Sequence, residues 1–211
     1  MRKSKKLMLT SLLLAVIMVI TVMPTLSWLS STSDPVVNTF AGGMISIKLD
    51  EAKVDANGKA IAGAERVKEN RYKYVAGAVL DKDPTPAVLK GSEECYVFLL
   101  VENNLNDKFE INYDTESWKE TAKSGNKTIY AYKTKVNAYE SDADISLEPI
   151  FTTVTISQQL SEKDIEDLGE RTLSVTAFAV QTANINAETA SKLAAEQFGL
   201  TETEITVPSI E

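Results

Sequence analysis

Apolar and polar positions alternate with a period of two along much of this chain, the signature of half-buried strands. In "MISIKL", Ile45, Ile47 and Leu49 share one face, opposite Met44, Ser46 and Lys48. "KFEINY" sets Phe109, Ile111 and Tyr113 against Lys108, Glu110 and Asn112, and "TIYAYKTKV" places Tyr130, Tyr132, Thr134 and Val136 together. The stretches "IFTTVTI" (residues 150–156) and "TLSVTAFAV" (residues 172–180) are rich in β-branched side chains, which suit a pleated surface. "CYVFLLV", residues 95–101, is apolar on both faces and reads as a central strand covered on both sides. The expected core therefore includes Ile45, Ile47, Leu49, Tyr96, Phe98, Phe109, Ile111 and Val175.

Turn signals separate these runs. "DANG" (residues 55–58) and "KSGNK" (residues 123–127) read as hairpin tips, and "KDPTP" (residues 82–86), with two prolines, is not expected inside a central strand. Seven or eight strands spaced in this way predict an all-β antiparallel β-sandwich. Two segments follow a helical pattern instead. "LSEKDIEDLG" has Ser161 as N-cap, Asp164 three residues on and Gly169 as terminator. "NAETASKLAAEQFG" has Asn186 as N-cap, Glu188 in the first turn and Gly199 after the last, with Ala190, Leu193, Ala194 and Phe198 on one face. Both helices are expected to cover sheet edges or ends.

A different pattern opens the chain. Arg2, Lys3, Lys5 and Lys6 precede an uncharged apolar run over residues 7–23, and Pro24 breaks it. This is an export signal, and the small residues of "TLS" place cleavage between Ser27 and Trp28. Residues 1–27 are then a signal peptide and residues 28–211 a single sandwich domain. The competing reading is an uncleaved anchor, because the run is close to the minimum for a spanning helix; the membrane would be met only through that leader. Four of the 22 basic residues and none of the 30 acidic ones lie in the leader, leaving 18 against 30 and a charge of −12 after it. That excludes nucleic acid and anionic polymers as direct electrostatic partners.

Candidate chemistry is sparse. Histidine is absent, which removes the commonest general base and zinc ligand. Cys95 is the single cysteine, so no internal disulfide exists, and its apolar surroundings read as a buried thiol. A Ser–Lys dyad or a carboxylate pair is singled out by no motif. Asp142 and Asp144, in "ESDADIS", are candidate calcium ligands. Read as an EF-hand loop, however, the sixth and twelfth positions are Leu147 and Thr153, where Gly and Glu are required. An ordinary acidic loop is the simpler reading, and no other cofactor is expected. "NKT" at Asn126 is a glycosylation acceptor pattern.

"TLSW" after the leader, then Val36, Asn38, Phe40 and Gly43 in a V-x-N-x-F-x-x-G pattern, resembles the start of TasA-like and camelysin proteins, exported by Firmicutes through a SipW-type signal peptidase. The resemblance continues through "KDPT", "SEECYVF", "IFTTVTI" and "LSVTAFAVQT" and spans most of the chain, although Ala76 stands where many relatives have Pro and Ser27 where Ala is commoner. It implies a jelly-roll-like sandwich, secreted to the cell surface or biofilm matrix, whose copies assemble into fibres. The segment 28–40, with Trp28, Leu29, Val36, Val37, Asn38 and Phe40, would be donated as a strand to a neighbour. The relatives also imply a rival reading, a secreted metalloendopeptidase, against which the missing histidine counts. A monomeric surface-binding module is the third.

Overall fold

The structure, a computed structural model, describes residues 44–159, 161, 163–164 and 169–200, together with the backbone of residues 30–33. Ser27, Trp28, Leu29, Val36, Val37, Asn38 and Phe40 lie outside the described residues, as does the signal peptide. The strands are β1 (Ser30–Ser33), β2 (Ile47–Asp50), β3 (Val79–Asp81), β4 (Thr85–Val88), β5 (Cys95–Asn103) and β6 (Phe109–Ile111). They continue with β7 (Trp118–Ser124), β8 (Lys127–Tyr132), β9 (Ile145–Ser146), β10 (Thr153–Ile156) and β11 (Leu173–Gln181), before the helix α1 (Ala187–Gln197).

All pairings are antiparallel, and the molecule is an all-β sandwich. One layer is a five-stranded sheet in the order β1-β11-β5-β8-β7. Two three-stranded sheets, β2-β4-β9 and β3-β10-β6, complete the fold. β5 lies at the centre of the large sheet and shows why its sequence has no polar face. Cys95, Val97, Leu99 and Val101 enter the core shared with Ile45, Ile47 and Val88. Tyr96, Phe98 and Leu100 enter a second core under α1. Each large apolar side chain so enclosed stabilises the fold by about 1.5–3 kcal/mol.

The helix lies against the face of the large sheet, not its edge or end as expected. Ala190, Ala194, Ala195 and Phe198 pack on it, and the Phe198 ring meets Phe178 edge-on at 5.9 Å. Small alanines let the helix sit close to the strands. The Asn186 side chain accepts from the Thr189 N–H at 2.8 Å, and Gly199 takes φ 72° to close the last turn. In the other helical segment, Ser161 and Asp164 exchange capping-box bonds, and residues 163–164 are helical.

Of the other expected core positions, Ile45, Ile47, Tyr96 and Phe98 are buried. Leu49, Ile111 and Val175 are half-buried at the margin of the main core, and Phe109 packs half-buried against Leu80 and Ile156. Their strands lie at sheet edges or border a groove, so one side of each ring or branch stays open.

The prolines bring a correction. Pro86 lies in β4, the middle strand of its sheet, opposite Leu49. β9 pairs with β4 only at Ala87 and Val88, and the Leu147 N–H donates to the Pro86 carbonyl at 2.9 Å. The ladder bond that proline cannot donate falls at the end of that short pairing, where its loss is smallest.

Candidate functional site

Among the described residues, β11 has one side only partly covered. Along its full length it pairs with β5, and on the other side β1 covers residues 177–180. Residues 173–176 have no described strand on that side. The Asn104 N–H donates to the Thr172 carbonyl, and the Thr182 N–H to that of Glu94, both at 3.0 Å. Even-numbered residues therefore bond to β5, and Leu173 and Val175 direct their N–H and C=O groups outward.

This half of the edge borders a groove of about 540 Å³. Its walls include Leu49, Tyr72, Tyr74, Phe109 and Val175. Tyr74 fixes the entry to β11, because its hydroxyl donates to the Gly169 carbonyl at 3.0 Å and accepts from the Arg171 N–H at 3.1 Å. Its ring meets Phe109 edge-on at 5.6 Å. Tyr72 donates to the Asp81 carbonyl at 2.8 Å. Burial, and then the Glu51 charge, push its phenol well above the ordinary value, so it stays a neutral donor.

A polar cluster lines part of the groove. Glu51 is only 4% exposed as a residue, and its carboxylate accepts from Lys82 Nζ at 2.7 Å and from Asn70 Nδ2 at 2.9 Å. Glu51 is placed by reciprocal 2.8 Å backbone bonds with Val67, just beyond β2. Beside it, the Arg66 guanidinium joins the carboxylates of Asp50 and Asp83 and the Thr85 hydroxyl. Sequence reading did not find this cluster. Glu51, Asn70 and Lys82 stand in charged stretches that resemble solvated surface, and no spacing links them.

The residues singled out from sequence lie elsewhere. Asp144 accepts from the Lys90 N–H at 3.1 Å and pairs with Lys48 at 3.4 Å, so its charge is already used. Among the described residues, no group of three or more potential metal ligands forms around it or Asp142. Cys95 is fully enclosed, and burial pushes its thiol up to about 12, which leaves it unreactive at neutral pH. Asn126 is exposed at the β7–β8 turn, its amide donating to Asn104 Oδ1 at 2.7 Å. No family model, no curated protein and no solved structure matches this chain.

Proposed function

We propose that this protein is an exported structural subunit, a TasA-like component of an extracellular matrix fibre. Its copies join when the segment 28–40 of one adds a strand to the sheet of the next. The observation that supports this reading is the edge of β11, which the described residues fill only by half. Among the described residues, the four of β1, themselves part of segment 28–40, occupy half of it within one chain, and the rest faces the groove with its backbone groups directed outward. Such an edge is a template for strand addition, in which a donated segment gains main-chain hydrogen bonds and removes an exposed edge. The basic and apolar leader supports export, and the calculated charge of the chain after it keeps unassembled copies soluble.

Light scattering and negative-stain microscopy of residues 28–211, with and without residues 28–40, test the proposal. The longer form should assemble. The shorter should remain a folded monomer that binds a synthetic peptide of residues 28–40. A longer form that stays monomeric in acid and with calcium ends this reading. The groove itself favours a second reading, a monomeric surface-binding module, which that monomer would then represent.

A further inference from the structure

The polar cluster lining the groove has the components of a self-processing amide exchange. Lys82 and Asn70 are held on the two oxygens of one carboxylate, Lys82 Nζ on Oε2 and Asn70 Nδ2 on Oε1 of Glu51. The orientation of the Asn70 amide is set on both sides. Nδ2 also donates to the Ala52 carbonyl at 2.8 Å, and Oδ1 accepts from the Val54 N–H at 3.1 Å. The Lys82 and Glu51 side chains are 14% and 6% exposed, and the Tyr72 ring centroid lies 6.0 Å from Nζ. A nucleophile, a proton carrier and an electrophile with a polarised oxygen thus share one largely enclosed site.

We propose that Lys82 and Asn70 become joined by an intramolecular amide bond, with Glu51 as the catalytic acid and base. Glu51 takes a proton from the Lys82 ammonium, leaving a neutral amine, the form in which a lysine attacks. The Nζ lone pair adds to Cγ of Asn70, and the Val54 N–H stabilises the negative charge that develops on Oδ1. Glu51 then delivers its proton to Nδ2 and recovers one from Nζ. The Cγ–Nδ2 bond breaks, ammonia leaves, and the Nζ–Cγ bond remains. Glu51 passes this second proton to the departing ammonia, which leaves as ammonium, so Glu51 ends as the carboxylate it was at the start, and no oxidant, metal or external reactant enters. Holding the groups within hydrogen-bond reach of a common carboxylate replaces an encounter that is very slow in solution. The product ties the segment after β2 to the end of β3, a covalent brace in a chain that has no disulfide to offer.

Mass spectrometry of the purified, denatured wild-type protein tests this directly. If the bond forms, trypsin cannot cut after Lys82, and the tripeptide Glu69-Asn70-Arg71 appears attached to residues 74–90 as one branched species lighter by one ammonia. Recovery of the free tripeptide, with cleavage after Lys82, overturns the proposal. The wild-type peptides decide, so the answer does not depend on whether a variant folds. Where Glu51→Gln or Lys82→Arg protein can be recovered folded, the branched species should be missing and the full mass restored; its persistence in Lys82→Arg would also overturn the assignment.

Discussion

The indole N–H of Trp118 donates to the backbone carbonyl of Glu148 at 2.9 Å, joining the edge strand β7 to the segment that closes the main core. Trp118 is 1% exposed and among the largest fully buried side chains, with the Tyr132 ring packed edge-on at 4.9 Å. Trp118→Phe keeps most of the apolar contact and leaves the carbonyl without its donor, which should cost about 1–3 kcal/mol in urea unfolding. Trp118→Ala should cost about 3–5 kcal/mol. No loss in Trp118→Phe would show that the hydrogen bond is immaterial, and equal losses for the two would show that the ring's apolar contacts are.

Gly58 and Gly63 separate backbone strain from steric contact. Both hold a left-handed backbone, φ 73° and 75°. A Cβ at Gly58 would lie 2.6 Å from Leu80 Cδ2, whereas nothing lies within 4 Å of one at Gly63. Gly63→Ala should therefore cost about 1–2 kcal/mol from the backbone alone. Gly58→Ala should cost measurably more, because Leu80 is packed against Ile156 and can yield little. Thermal melts of the pair read the difference directly, and equal shifts would refute the contact argument.

Val175 offers a probe of assembly that spares the main ladder. Its N–H points away from β5, so Val175→Pro removes no bond between β11 and β5. The variant should keep its folded circular dichroism spectrum and fail to form fibres. Wild-type assembly by a folded Val175→Pro protein would show that this half-edge takes no strand.

The alkaline limb of stability follows from Cys95 and its tyrosine neighbours. Burial raises the thiol from 9.0 to about 12, and also raises the phenols of Tyr113, Tyr130 and Tyr132. Between pH 9 and 12 the unfolded chain has lost protons that the folded chain still holds. The unfolded state then binds fewer protons, and stability must fall as pH rises through that window. Urea midpoints at pH 8, 9 and 10 should decline in order, and native Cys95 should resist a thiol reagent at pH 8 that reacts fully in denaturant. Rapid labelling of the folded protein would contradict its enclosure.

Some of this architecture is legible in the residues alone. The unbroken apolar run of β5 reads as a strand covered on both faces, and Asn186 and Gly199 mark the ends of α1. β7 is not legible. Its register shifts between Glu120 and Ala122, so Thr121 and Ala122 are buried side by side and the period of two is lost. Pro86 misleads for a related reason, since a rule about central strands cannot know that β9 pairs with only two residues.

What the sequence determined by itself is which of the alternating and apolar runs extend, where the second helix begins and ends, and which thiol is hidden. Those properties arise from side-chain periodicity and local capping, which act over a few residues. Tertiary structure decided the pairing partners and the meeting of Asn70 and Lys82 on the Glu51 carboxylate. Alternation along a strand specifies which side faces apolar neighbours, but it does not specify which strand lies beside it. Those three polar residues come together only because the segment between β2 and β3 folds back on both, Val67 bonding to Glu51 after β2 and the Gly58 carbonyl accepting from Asp81 in β3.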